Sequence, residues 1–537
     1  MKKTFLIIAC FLILAASDSF GRDEPLANEG KAGLYARSIE QVLRLDPNEV
    51  DLATAVLIVS EEWSDIVLGR NYLSELDDMA YEIRDRVKAR GIQVGYTSIP
   101  VINEYLFEEL GFGSIAEANE PNDLFLHTVL DEKRGYCLGL SVLYLSIGER
   151  LGLPLYGVVV PRHFFVRYDD GLIRFNIETT SKGASISDEH YIEKFKVPED
   201  SRDSIYMVNL NKIQTLGCFF NNLGNSYSEI DNSKQALAAY EIAVELNPLL
   251  AESRSNLGNA YLQAGRIWDA IYQYQAALEV NPDDAKTHYG LGYAYAEKGR
   301  LSTAISHFQQ SLALDPNFID AYKNLANAYC KRQMFAQAIV QLKRAIALWP
   351  KDADCYSRLG NVYSQMGDYK EAISQYEAAL KIEPDSAEAY CGLGICYSKL
   401  GLVNDEIAAY KKALAIDPNM VAALMNLGNA YLARQDYDAA VELYKKAARI
   451  IPDDAMIHYA LGTAYLNKAL YEQAVAEYLK AVKIDPKMAD AHSGLAFGFY
   501  KLKKYDQAVK HIKIAQQLGA EIDKDLLAAI EAAKPRP

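Results

Sequence analysis

Three side-chain types are scarce in this chain of 537 residues: 7 cysteines, 8 histidines and 3 tryptophans. The cysteines lack the spacing of a disulfide framework, and no His/Cys/Asp/Glu group recurs at the intervals of metal ligands. No phosphate-binding glycine loop is present, so neither a metal nor another cofactor is expected. Clustered lysine and arginine are missing as well, and the formal charge is −15. Nucleic acid and anionic lipid both require basic patches, so neither is expected as a partner. No apolar run approaches the roughly 20 residues of an integral membrane span. The run from Phe5 to Ala16 follows Lys2 and Lys3 and precedes Ser17, the pattern of a signal peptide cut near that serine. Residues 1–17 are therefore expected to be a leader, and the mature protein to be exported, periplasmic or secreted. Ile7-Ile8-Ala9-Cys10 has the look of a lipoprotein box. Cleavage there would leave an apolar core of only about five residues, below the usual 7 to 15, which disfavours lipoprotein anchoring. Loss of the leader removes Cys10. Cys391 and Cys396, five apart on one helix, point in different directions, and Cys330 and Cys355 read as helix-packing thiols.

Tyrosine, by contrast, is abundant at 37 residues, and much of it stands in register. Segments of 34 residues run without insertion from Gly217 to Ile522, nine in all. Their frame is Leu, then Gly or Ala, then Tyr three residues on, then Ala, an aromatic, Ala and Pro. Leu257, Gly258, Tyr261, Ala270, Tyr274, Ala277 and Pro282 fill it completely. Each unit reads as two short amphipathic helices, with apolar residues at i, i+4 in the first and i, i+4, i+7 in the second. Small residues fall where the paired helices must approach. Pro282, Pro316, Pro384, Pro418, Pro452 and Pro486 stand where the second helix must stop. One pair cannot bury its own stripe, so neighbours must stack. The frame resembles the tetratricopeptide (TPR) family, which implies an all-α superhelical solenoid over 217–522. The ninth unit lacks the proline, at Ala520, and carries Ile512 for the aromatic. Residues 523–537 then read as a capping helix, Lys524 to Ala533, and a tail.

From about Asp23 to Asn209 the register is lost, and helices precede strands. Helical segments are expected over Lys31 to Leu45, Val50 to Leu68, Ser74 to Ala89 and Val101 to Gly111, with Trp63 and Tyr72 as core aromatics. Cys137 follows Arg134-Gly135-Tyr136 and opens an apolar helical run that ends at Gly152-Leu153-Pro154. The start of a helix, where the dipole and unpaired amides favour an anion, is where a nucleophilic thiol would be placed. Beyond Pro154, Tyr156 to Tyr168 and Leu172 to Thr179 alternate as strands around Asp169-Asp170-Gly171. A two-residue Asp-Gly turn makes cross-strand partners sum to 341, which sets His163 opposite Glu178. Phe164, Val166 and Tyr168 then share an apolar face with Ile173, Phe175 and Ile177, and His163, Asn176 and Glu178 lie on the other. A slip by one residue would put Ile177 opposite the histidine instead.

Cys137, His163 and Glu178 thus fall in the order and setting of a thiol triad. The segment resembles the transglutaminase-like superfamily, and more narrowly its bacterial branch whose members often carry TPR helices behind the core. The residues carrying the likeness include Asn103-Glu104-Tyr105-Leu106-Phe107, Gly111-Phe112-Gly113, Asn122, Arg134-Gly135, Leu151-Gly152-Leu153-Pro154 and Pro161-Arg162-His163-Phe164. The resemblance implies an α+β transglutaminase/papain-like domain over 23–209, with Cys137 as nucleophile, His163 as base and Glu178 as the acid that orients it. Two departures stand out: the superfamily usually has Asp where Glu178 stands, and Asn122 is only a weak candidate for an oxyanion-hole side chain. The backbone amide of Cys137 is the better oxyanion donor.

Two functions compete. One is a thiol enzyme acting on amide bonds of proteins or peptides. The other is a TPR scaffold carrying an inactive transglutaminase-like domain. Either way the repeats imply a protein or extended peptide as partner. Asn225, Asn259, Asn327, Asn361 and Asn429 recur two residues after the frame's Leu. A carboxamide can donate to and accept from a peptide backbone at once. Asn at this position could equally serve only to stabilise neighbouring helices. Tyr289, Lys323, Arg358 and Tyr459 are further groove candidates.

Overall fold

The computed structural model describes residues 24–64, 71–116, 120–197 and 205–521. The expected leader and the expected cap helix lie outside them. The protein divides into two compact units, one ending at Pro316 and the other beginning at Asn317.

The first unit is built on the helix Cys137–Arg150, in which every residue from Cys137 to Gly148 is buried. A helix apolar all round has no face for water, so it must be enclosed. Helices Leu52–Trp63, Asn71–Ala89 and Leu126–Glu132 pack on it, together with two strands of an antiparallel sheet. Strands β1 (Gly113–Ser114) and β2 (Arg134–Gly135) form a short parallel pair leading into the Cys137 helix. The larger sheet has the order β3 (Leu155–Val160), β4 (His163–Asp169), β5 (Arg174–Ile177). A glycine is required at 157, where an added Cβ would lie 2.3 Å from the Phe164 ring.

Several element bounds differ from the sequence reading. Lys31 to Leu45 is not one helix but a 3-10 turn, Ala32–Tyr35, and a short helix, Ile39–Leu43. The Ser38 side chain accepts the Gln41 N–H and so starts a new helix after an extended Ala36. Helix Leu52–Trp63 begins one residue after its cap, Asp51, and residues 65–68 of the expected Val50 to Leu68 helix lie outside the described residues. Ile99–Asn103 continues as a π-turn, Glu104–Glu109, before Gly111 turns left-handed. Trp63 and Tyr72 are only half-buried. Tyr72 donates to Asp131 at 2.7 Å, which draws its hydroxyl to the surface, and Trp63 packs on Phe220 and Tyr227 of the first repeat.

That packing joins the α+β core to the repeats. Tyr227 donates to the Trp63 carbonyl at 2.9 Å, Lys212 binds the Val50 carbonyl and the Glu149 carboxylate, and Leu210 bridges to Gly157 beside β3. The first three repeats thus belong to the same compact unit as the α+β core.

Helix pairs follow from Lys212–Glu229 with Ser233–Leu246 to Ala489–Lys501 with Tyr505–Gln517. The expected close approach is present: a Cβ on Gly258 would lie 2.6 Å from the Tyr274 ring. The residue before the frame proline is extended at Asp315, Glu383, Asp417 and Asp485, and non-helical with a smaller ψ at Asn247, Asn281, Trp349 and Ile451. Within a pair the connecting turn uses a left-handed residue, Gly at 265, 299, 367 and 401 but Asp231, Gln333, Gln435, Ala469 and Lys503 elsewhere. Cys355, Cys391 and Cys396 are buried free thiols, and Cys330 is half-buried. No helix among the described residues is long and apolar enough to cross a membrane.

Candidate functional site

The β4–β5 register is offset from the sequence expectation. Observed partners are Val166 with Ile177, Arg167 with Asn176, Tyr168 with Phe175 and Asp169 with Arg174, so each sum is 343 and not 341. The cause is the loop. Asp170 Oδ1 accepts the N–H groups of Leu172 (2.9 Å) and Ile173 (2.7 Å), and Asp169 Oδ1 accepts that of Gly171 (3.1 Å). These bonds stabilise a four-residue loop over the two-residue turn. A shift of two residues preserves which side chains share a face, so Glu178 remains on the His163 face, displaced along the strand. The longer glutamate side chain spans that diagonal, and the His163 Nε2–H donates to Glu178 Oε2 at 2.7 Å. A carboxylate can only accept, which fixes the proton on Nε2 and leaves Nδ1 as the ring's other nitrogen.

Cys137, His163 and Thr180 border one cavity of about 270 Å³, together with Ser114, Ile115, Ala116 and Tyr136. Cys137 is 4% exposed and Glu178 6%. Burial acts to lower the basicity of His163, but Cys137 and Glu178 beside it outweigh that and raise its pKa to about 9. Burial acts the other way on Glu178, yet His163, Thr180 and Tyr191 hold its carboxyl down at about 2. Thr180 donates twice to Oε1, from its N–H (3.1 Å) and its hydroxyl (2.5 Å), and Tyr191 donates to Oε2 at 2.8 Å. A carboxylate with four donors is held in one orientation.

Tyr191 and Thr180 did not emerge from the sequence reading. Tyr191 lies on the helix Asp188–Phe195, started by Ser187, whose side chain accepts the His190 N–H. This helix covers the His163 face of the sheet. Phe195 stacks on the His163 ring at 4.8 Å between centroids, and Tyr191 stacks on Phe165 at 3.9 Å. The buried Arg167 anchors the helix start, donating to Asp188 Oδ1, to Asn176 Oδ1 and to the Met207 carbonyl, each at 2.7 Å. The i, i+4 spacing of Tyr191 and Phe195 was the available signal.

The thiol occupies the first position of its helix, after an extended Tyr136 with no side-chain cap, so first-turn amides converge beside it. Asn122 is exposed on the 3-10 turn Pro121–Leu124 and is not among the residues bordering the cavity.

In the first unit, repeats one to three enclose a groove of about 610 Å³ lined in part by Asn225, Tyr240, Asn256, Asn259, Tyr289 and Tyr293. The asparagines are used internally. Asn225, Asn259, Asn361 and Asn429 each accept through Oδ1 the hydroxyl of the tyrosine fifteen residues on, at 2.6 to 2.9 Å. Each of these oxygens thus accepts a bond within its own repeat, and that of Asn225 accepts a second from Asn256 at 3.0 Å. Asn327 is exposed and has Leu342 at the tyrosine position. Lys323 is paired with Asp352 (2.9 Å) and Asp354 (3.0 Å), and Arg358 holds both oxygens of Asp354 at 2.9 Å. Tyr459 packs on Tyr478 at 5.8 Å.

A model of the transglutaminase-like superfamily matches residues 70–204, and TPR models match segments between 219 and 503. A UPF0162 protein of Xylella fastidiosa is 33% identical over 125 residues, 23% of this chain and 43% of that protein. F-box only protein 21 of Mus musculus is 34% identical over 74 residues, 14% of this chain and 12% of its own. The chain thus spans less than half the length of these curated relatives. Among solved structures, MamA is 33% identical, covering 30% of this chain and 95% of its own with a TM-score of 0.29. A tetratricopeptide repeat protein from Parabacteroides merdae is 17% identical, covering 46% and 98%, with a TM-score of 0.39.

Proposed function

For a chain that belongs to the transglutaminase-like superfamily over residues 70–204 and carries a TPR array behind that domain, we propose a thiol enzyme acting on amide bonds of protein or peptide substrates. The observation that carries this reading is the His163 imidazole, held by Glu178 at 2.7 Å and lining the same cavity as the Cys137 sulfur at its helix start. An imidazole oriented by a carboxylate and facing a sulfur is the arrangement of an activated thiol.

In the proposed cycle the Cys137 thiolate attacks the carbonyl carbon of a glutamine carboxamide or a peptide bond. The charge that develops on oxygen meets the backbone N–H of Cys137. His163 passes its proton to the departing nitrogen, the C–N bond breaks, and a thioester remains on sulfur. Neutral His163 then takes a proton from water or from a second amine, which attacks the thioester and releases the thiolate. Throughout, Glu178 holds the Nε2–H tautomer. Water makes the protein a hydrolase or deamidase, and an amine makes it a crosslinker. The repeats would recruit the protein partner, their asparagine NH₂ groups donating to the carbonyls of an extended segment. A leader over residues 1–17 would place this activity outside the cytoplasm.

The test is turnover. The protein is incubated with a glutamine-rich acceptor protein, with and without a primary amine, and ammonia release, amine incorporation and peptide cleavage are followed. Product that disappears in Cys137→Ala supports the enzyme. Product formed equally by Cys137→Ala, or none from the wild type while peptides still bind the repeats, leaves a binding scaffold.

A further inference from the structure

The carbonyl of the frame proline receives a side chain from the helix that follows it. In five repeats the residue six positions on donates to that carbonyl: Arg254 to Pro248 (2.7 Å), His288 to Pro282 (3.0 Å), Tyr356 to Pro350 (3.3 Å), His458 to Pro452 (2.8 Å) and His492 to Pro486 (3.2 Å). Each bond ties the start of a repeat's leading helix to the linker before it. Four of these side chains also reach the repeat's second helix, nineteen residues on. Arg254 donates to Gln273 at 3.2 Å, and His458 meets the Glu477 carboxylate at 2.6 Å. His288 meets His307 at 3.2 Å and His492 meets His511 at 2.9 Å, Nδ1 to Nδ1 in both. The ordinary explanation is a structural staple, and it suffices for arginine, which has N–H groups for both partners at every pH.

Two histidines make a different staple. A carbonyl only accepts, so Nε2 of His288 and of His492 carries a proton, and Nδ1 is left to accept the Nδ1–H of His307 or His511. A first added proton goes to the outer Nε2 of that partner ring, and the bond between the rings survives. A second has only the Nδ1 between the rings to go to, where two N–H groups and two positive charges would then face each other. Repeat eight is the opposite case. Both nitrogens of His458 face acceptors, so a proton supplies a donor and tightens the staple. The surroundings of the two histidine pairs offer no relief. Among the described residues no carboxylate forms an ion pair with these four rings. Asp284, beside His288, is committed to the Lys286 N–H at 3.2 Å and the Thr287 hydroxyl. Burial and His288 hold His307 below its ordinary 6.5, and burial, His492 and Lys510 hold His511 at about 4. Tyr295 stacks on His307 at 5.7 Å and Phe499 on His511 at 5.6 Å.

We propose that repeats three and nine carry acid-opened staples: a second proton on each histidine pair breaks the bond between the rings and frees the start of the leading helix. In repeat three this start belongs to the groove. Tyr289, Gly290 and Tyr293 follow His288 on the helix Ala285–Glu297 and line it, so acid loosens the wall against which a partner would lie. The sign follows from the lowered basicity of the second ring. The open form takes up the proton more readily than the closed one, so opening increases as pH falls below 6.5, and in repeat nine it levels off at about 4.

Amide hydrogen exchange of the full-length protein, followed by mass spectrometry from about pH 7.5 to about pH 4.5 with each rate divided by the intrinsic rate at that pH, reads the opening directly. Opening is expected to increase about tenfold per pH unit below 6.5, one added proton per pair. The increase should appear over 286–293 in repeat three and 490–497 in repeat nine, and be absent over 456–463 in repeat eight. His307→Glu and His511→Glu, which give these repeats the partner that repeat eight has, are expected to abolish it. Should either fail to fold, the double variants His288→Arg with His307→Gln and His492→Arg with His511→Gln copy repeat two and should respond as little. A wild type in which repeat three or repeat nine opens no more than repeat eight overturns the proposal, and so does a variant that keeps the acid response. The readout needs no catalysis, so failure of turnover at Cys137 would count against the enzyme reading alone.

Discussion

Shortening Glu178 to aspartate tests whether the diagonal register requires the longer acid. Glu178→Asp withdraws the carboxylate by about 1.5 Å, one carbon–carbon bond. The His163 contact then opens from 2.7 Å to about 4 Å, beyond hydrogen-bonding distance. At an effective dielectric of about 20 the attraction falls from about 6 to about 4 kcal/mol, and that loss of 2 kcal/mol is about 1.5 pH units. His163, raised to about 9 in the wild type, should then titrate at about 7.5. At pH 7.5 its protonated fraction would fall from about 97% to about half. Carbon-13 NMR of the ring reads this directly. A midpoint still near the wild-type value, or a higher one, would refute the argument that glutamate is needed to span the two-residue offset.

Tyr191→Phe removes one of the four donors to Glu178, a charge-assisted bond of about 1.5 to 3 kcal/mol. The His163–Glu178 pair raises the imidazole from 6.5 and depresses the carboxyl from 4.5. Its stabilisation is therefore complete between those two pH values, and is lost as pH rises through about 9 or falls through about 2. In Tyr191→Phe the acid-side loss should begin at higher pH, as followed by acid unfolding of the aromatic near-UV signal; an unchanged acid limb would count against the contact. Gly258→Ala presses a methyl group into Tyr274 and should destabilise the first unit by about 1 to 3 kcal/mol, measured by urea unfolding. Ala469→Gly relieves a left-handed alanine and should stabilise its repeat by about 1 kcal/mol, read as slower local hydrogen exchange; faster exchange would contradict the turn assignment.

The repeats were readable from sequence because each frame position has one physical task. Gly258 is small because Tyr274 lies against it, and Asp315 is extended because Pro316 follows. The thiol's place at a helix start was equally legible, since Gly135 and the apolar run fix it locally. The strand offset was not. Asp170 chose between two loops through side-chain bonds to Leu172 and Ile173, and only the even size of the shift kept Glu178 on the correct face. Arg167 escaped notice because its role arises from a helix folding over the sheet, which no local pattern encodes, whereas Tyr191 left a local signal in its i, i+4 spacing with Phe195. The asparagine recurrence was visible, but its pairing with a tyrosine fifteen residues on is a contact between helices and shows only in three dimensions.

The central claim is that His163 activates the sulfur of Cys137, and the rate of iodoacetamide alkylation at Cys137 from pH 5 to 9 tests it most directly. Mass spectrometry assigns the modified residue in the wild type and in His163→Ala. At pH 6.5 the wild type is expected to react at least about tenfold faster than His163→Ala, the gap narrowing as pH rises toward the ordinary thiol range. Identical profiles in the two proteins, or a Cys137 that resists alkylation at every pH, would contradict the claim.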